Sequence, residues 1–242
     1  WALIIMMFMS CLQISFKEMQ PKQEHWRILG VNILMGIVPY YLVRFLWPDN
    51  QDLANAAFFV GITPTATAAP VVISFLGGNI AFALTGFAIV SIGISLALLF
   101  LLPLLTGQFT ASFMLDVART LLLVMFLPLA ASALVRHFFP QAPAFAKKCK
   151  NFTFSLWSFT LFTLAATASN YFRQNPDAPK STVLWIIAVS FVLCLLNFTS
   201  GYFLTRRNLH RECSQLLGQK NTTFTMFLAM HFGGPLAALG PI

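Results

Sequence analysis

Apolar residues run along this chain in blocks long enough to cross a bilayer, at 2–16, 28–47, 53–76, 80–105, 114–138, 152–172, 183–204 and 213–232, with short polar stretches between them. A hydrocarbon core of about 30 Å needs about 20 apolar helical residues. The pattern therefore predicts eight spans, the first a short one. Two blocks are interrupted at their middles. The third is broken at 61–70, Gly-Ile-Thr-Pro-Thr-Ala-Thr-Ala-Ala-Pro, and the eighth at 218–223, Gly-Gln-Lys-Asn-Thr-Thr. Irregular backbone survives at bilayer depth only where protein or a water-filled cavity satisfies its N–H and C=O groups, so each break predicts a polar site inside the membrane.

The depth of the two breaks follows from the helix rise. Lys220 lies nine residues from Arg211, about 13 Å, and Pro64 twelve residues from Asp52, about 18 Å, so both breaks fall near the midplane. An odd offset, from the third span to the eighth, makes them cross in opposite directions. That is the expectation for inverted repeats of five helices, approximately 1–108 and 109–242, within one transmembrane domain over 1–242.

Composition narrows the class. With 58% hydrophobic residues, 9% charged residues and 26 Phe, no soluble domain of 242 residues could bury its apolar side chains. The net charge of +8 sits in alternate loops: Lys17, Lys22 and Arg27; Arg136, Lys147, Lys148 and Lys150; Arg206, Arg207 and Arg211. The intervening loops hold only Arg173 and Lys180, with Arg44 near a helix end. This bias is the positive-inside signal rather than a nucleic-acid patch, and it puts the loop after span one in the cytoplasm. Cys11, Cys149, Cys194 and Cys213 are scattered, with no Cys-x-x-Cys and no His at metal-ligand spacing, so no metal or other cofactor is expected. The chain opens on Trp1 inside an apolar run and closes on Ile242 just after another has begun, so a longer protein is expected at both ends.

Pro64 and Pro70 each remove an N–H donor, while the threonines between them offer hydroxyls to freed carbonyls or to a solute. The half-helices after Pro70 and after Asn221 would both turn positive N-terminal ends toward the gap, which favours an anion. Thr63, Thr65, Thr67, Gln219, Lys220, Asn221, Thr222 and Thr223 are the expected substrate-binding residues. A proline kink with self-bonded threonines explains one isolated break equally well; two breaks at matched depth favour a site. Asp116 and Arg119, at i and i+3, read as an interfacial pair, and His231 as a solvated helix-end residue. Ser91, Ser95, Thr160, Thr163, Thr167 and Asn197 read as polar glue between helices, and Phe154, Trp157, Phe159 and Trp185 as lipid-facing or packing residues.

Several segments together resemble the bile acid:sodium symporter family, organic-anion transporters with ten helices in two inverted repeats and crossed broken helices four and nine. Residues 9–16, Met-Ser-Cys-Leu-Gln-Ile-Ser-Phe, resemble its M-G-L-x-L-S/T-x segment, and Pro39 its third-helix proline. Residues 63–70 followed by Gly77-Gly78-Asn79-Ile80-Ala81 resemble C-P-G-G-T-A-S-N and the G-D/N-V-A after it. Gly218-Gln219-Lys220-Asn221 resembles G-M-Q-N, with Pro235-Leu236-Ala237-Ala238 following. The resemblance begins at the family's second helix. It implies an all-α polytopic membrane protein of inverted five-helix repeats, with the first and last family helices missing or partial, of bacterial type and in a cell membrane such as a bacterial inner membrane.

The resemblance also implies sodium sites, and here the chain departs from them. The family's sodium-ligating positions fall on Ala69, Pro70, Ala83, Phe87, Leu216 and Lys220, and its third-helix Gln on Leu34. A hard cation needs several oxygen ligands, so sodium coupling through these positions is not expected. Lys220 stands where the family has Gln, and its ammonium would occupy the place of a bound cation against carbonyls ending the first half-helix. It would couple protons if conformational change made it lose and regain one. A snorkelling or permanently charged structural lysine, and direct pairing with an anionic substrate, stand beside that reading. The expected function is secondary active transport of a small organic anion, such as a bile acid, pantoate or keto acid, by alternating access, with the lipid bilayer as the other partner. A non-transporting receptor or sensor, or a sodium-coupled symporter using a shifted site, remain alternatives. An enzyme is not expected, because the breaks hold no nucleophile–base pair or metal-ligand set. Oligomeric state has no signal in the sequence.

Overall fold

A computed structural model of the chain describes residues 2–12, 19–66, 68–174, 180–205 and 208–241. In chain order the helices are α1 (Ala2–Cys11), α2 (Gln23–Leu46), α3 (Gln51–Ile62), α4 (Ala68–Phe75), α5 (Ile80–Thr106), α6 (Ala111–Leu121), α7 (Leu127–Phe138), α8 (Ala142–Lys148), α9 (Lys150–Gln174), α10 (Lys180–Phe203), α11 (His210–Gly218) and α12 (Thr222–Leu228). Among the described residues the regular structure is helical except for one isolated antiparallel bridge. The protein is an all-α, multi-pass membrane protein. Within the described residues, Gln23–Leu46, Ile80–Thr106, Ala111–Phe138 and Lys180–Phe203 are each long and apolar enough to span a bilayer.

The other predicted spans are each short, divided or diluted. Span three is α3 plus α4, and span eight is α11 plus α12 running into a π-helical turn, Ala229–Gly233. Helix α9 has the length, but Asn151, Thr153, Ser155, Ser158, Thr160 and Thr163 dilute its apolar surface. The hydroxyls of Thr160 and Thr163 donate to carbonyls of their own helix, Leu156 O and Thr160 O, each at 2.8 Å. The far part of the first span, residues 13–16, and Lys17, Arg206 and Arg207 lie outside the described residues.

Span five is not the uniform helix expected from its pattern. Between α6 and α7 it widens into a π-helical turn at Leu122–Phe126, directly before Pro128. A proline has no N–H to give and its ring crowds the carbonyl four residues back, and a wider turn relieves both. Helix α2 starts before the apolar block does because His25, though buried, is satisfied. Its Nδ1 accepts from Lys22 N–H at 2.9 Å, leaving Nε2–H to donate to Phe82 O at 3.1 Å.

The chain forms two compact units. Trp1–Glu18 and Ser95–Thr163 make one, Met19–Ile94 and Leu164–Ile242 the other, so α5 and α9 contribute to both. In the first unit, Met9 and Leu12 are buried with Ala142 and Ala146 of α8, a helix hidden in a loop too short and mixed to show a period. In the second unit, α2 packs on α3 and α10 on α11, backbone against backbone. A Cβ at Gly61 would lie 1.8 Å from Met35 O, and one at Gly201 would lie 2.4 Å from Cys213 O. Only glycine permits either approach.

Loops of this unit meet in the groups that the charge pattern assigns to two sides. Asn50, which caps α3 by accepting from Leu53 N–H, donates to Thr182 Oγ1 at 3.1 Å. At the other end, Arg211 donates to Leu76 O at 3.1 Å, and buried Glu212 accepts the Asn79 N–H at 2.7 Å where α5 begins. Glu212→Ala should lower stability by about 1.5–3 kcal/mol, the value of a hydrogen bond to a charged acceptor. Thermal unfolding in detergent measures this, and Glu212→Gln, which keeps an acceptor, should lose less.

Candidate functional site

The first break follows from Pro64. A residue before proline is pushed out of the helical region, and α3 ends with Thr63 at φ −47°, ψ 126°. The Thr63 hydroxyl donates back to Phe59 O at 2.5 Å. In the second break α11 ends at Gly218, and Gln219 is extended at φ −80°, ψ 103°. Gly218 is forced by space, since a Cβ there would lie 2.2 Å from the Phe198 ring. Asn221 then caps α12 by accepting from Phe224 N–H at 3.3 Å.

The breaks meet. Thr65 and Lys220 form the antiparallel bridge: Ala66 N–H donates to Gln219 O, and Asn221 N–H to Pro64 O, both at 2.8 Å. Backbone groups released by one break are thus satisfied by the other, as low-dielectric surroundings require. Thr65 adds a hydroxyl bond to Leu216 O at 2.6 Å and is wholly buried.

Lys220 reaches from this crossing to the C-terminal end of α3. Its Nζ donates to Asn32 Oδ1 at 2.6 Å, Thr63 O at 3.1 Å and Gly61 O at 3.2 Å. Three N–H donors meet three oxygen acceptors, two of them carbonyls at the negative end of a helix. Asn32, fully buried on α2, is fixed by its own Nδ2–H donated to Thr63 O at 3.2 Å.

Thr63, Gln219, Lys220 and Thr222 line a cavity of about 480 Å³ together with Ser190, Cys194 and Asn197 of α10. Thr65, Asn221 and Thr223 do not line it; Thr65 and Thr223 are buried in packing. Thr67 lies outside the described residues. Asn197, 1% exposed, donates to Leu193 O of its own helix at 2.8 Å, and its Oδ1 has no hydrogen-bond partner. Neither Asn32 nor Asn197 is among the site residues that the sequence predicts. A usable signal was there: Asn32 and Gly36 have the same spacing as Asn197 and Gly201, on the two helices that carry the half-helices.

A family model described as the sodium bile acid symporter family matches residues 1–175. The chain belongs to that family. The match takes in the first break and ends before the second. No curated protein matches the chain. Members of the sodium bile acid symporter family are transporters, so a transported small substrate and a lipid bilayer are this protein's partners. At the positions that the resemblance assigns to sodium ligands, Ala69, Pro70, Ala83, Phe87 and Leu216 are all buried apolar residues, and Leu34 is exposed on α2.

Proposed function

We propose that this protein is a secondary transporter of a small organic anion, working by alternating access, in which the Lys220 ammonium stands where a bound cation would otherwise sit. The observation that carries the reading is the cage of Asn32 Oδ1, Gly61 O and Thr63 O around Nζ, a set of oxygens suited to a cation and filled by a tethered one. The cavity beside it, of about 480 Å³, is within the usual size of small-molecule sites. Its polar wall from Gln219, Thr222, Ser190 and Asn197 supports a solute that carries hydrogen-bonding groups. Apolar side chains at the family-type ligand positions support transport without sodium at those positions.

Purified protein is first screened by thermal shift against bile acids, pantoate-like anions and keto acids, with and without sodium. Uptake of the stabilising anion into proteoliposomes should then be unchanged when sodium is replaced by potassium, and should change in Lys220→Gln. A steep sodium dependence of the wild type would overturn the reading. A pH dependence that disappears in Lys220→Gln assigns proton coupling to this lysine; a profile unaltered by the substitution leaves it as a structural cation.

A further inference from the structure

Two of the basic loops converge away from the proposed transport site. The start of α2 and, after α10, residues 205 and 208–210 enclose a cleft of about 1100 Å³ whose lining includes Lys22, Glu24, Arg27, Asn208 and His210. Lys22, Arg27 and Asn208 are exposed. His210 is held at its edge by a contact of its Nδ1 with Tyr202 O at 2.5 Å and by stacking on the Tyr202 ring, 4.8 Å between centroids. Trp26, Tyr202 and Phe203 stand 59%, 50% and 78% exposed at the same helix ends. Aromatic residues with a polar handle collect at the headgroup level of a membrane, and basic pockets between membrane helices take lipid headgroups.

An apolar groove of about 580 Å³ runs along the same two helices, lined on α2 by Val31, Leu34 and Val38 and on α10 by Val189, Val192 and Leu196. Helical spacing puts cleft and groove on one stripe of α2. Glu24, Arg27, Val31, Leu34 and Val38 follow one another at intervals of three or four residues. The stripe is charged for its first turn and apolar thereafter, with Arg27 one turn, about 6 Å, from the head of the groove.

We infer that the α2–α10 face binds one phospholipid, its phosphodiester held by Lys22 and Arg27 in the cleft and an acyl chain laid in the groove between Val31 and Trp47. The two cations match a phosphodiester, and Glu24 beside them suits the ammonium or hydroxyl of an ethanolamine or glycerol headgroup. The groove selects a lipid over a free phosphate ester, which would leave its apolar wall uncovered.

The test uses delipidated, purified full chain in detergent, titrated with phosphatidylethanolamine, phosphatidylglycerol, diacylglycerol of the same acyl chains, or inorganic phosphate, and read by native mass spectrometry and thermal unfolding. A single phospholipid adduct and a raised melting temperature are expected with either phospholipid. The adduct should fall at least tenfold in the double variant Lys22→Gln, Arg27→Gln, and should also fall in Val189→Trp, which fills the groove. Arg44→Gln, at the opposite end of α2, should leave it unchanged. Diacylglycerol binding as well as phospholipid, inorganic phosphate raising the melting temperature as much, or an undiminished adduct in the double variant would each overturn the site. If the double variant does not fold, competition between phospholipid and diacylglycerol on the wild type decides.

Discussion

Lys220→Met should cost this protein about 3 kcal/mol or more of stability and abolish transport. Methionine keeps the side chain as far as Cε and removes the ammonium with its three donors. Asn32 Oδ1, Gly61 O and Thr63 O would then lose the ammonium, although Thr63 O would still accept from Asn32. Each buried acceptor left without a donor costs about 1–3 kcal/mol, and the terms do not add fully because the groups share one network. Thermal unfolding in detergent and uptake in proteoliposomes measure the two effects. A double-mutant cycle with Asn32→Leu isolates the strongest contact: Lys220→Met should be markedly less damaging once Asn32 is gone. A methionine variant as stable as the wild type would mean that the ammonium does not rest on these oxygens.

Gly61→Ala should be at least as severe, for a steric reason. The added Cβ would lie 1.8 Å from Met35 O, 2.4 Å from its carbonyl carbon and 2.8 Å from Gly36 N, all backbone atoms of α2. No rotamer change relieves that, so α2 and α3 must separate, and with them the two helices that cage Lys220. Overpacking of a side-chain core costs about 1–3 kcal/mol, and a clash with backbone lies at or beyond the top of that range. Folded yield and melting temperature should both drop sharply. Gly30→Ala on α2 is the control. Nothing lies within 4 Å of its Cβ, and replacing glycine inside a helix should be neutral or stabilising by up to about 1 kcal/mol.

The bilayer-scale features were legible in the sequence because hydropathy reports them directly. The blocks appear as helices, and both breaks fall where Thr63-Pro64 and Gly218-Gln219 put them, since proline and glycine act on their own local backbone. What hydropathy does not carry is which polar groups face one another. Asn32 is an isolated polar residue within an apolar block, and its partner Lys220 lies 188 residues away, so no local pattern joins them. Helix α8 escaped notice because Ala142 and Ala146 are buried by contact with α1 rather than by any stripe of their own. The π turn before Pro128 was half legible: the proline announced a disturbance, but its form depends on packing around Val124 and Met125.

The bridge between Thr65 and Lys220 also bears on how the chain is made. Pro64 C=O and Ala66 N–H are synthesised about 155 residues before the Asn221 N–H and Gln219 C=O that will satisfy them. At about 5–20 residues per second, the first break must wait roughly ten seconds or more beside or within the bilayer with its backbone unpaired. During that interval it needs a polar surrogate, whether water in the insertion channel or a helper protein. Truncated chains released before residue 218 should therefore be captured by membrane quality control at this break, while full-length chains escape by closing it.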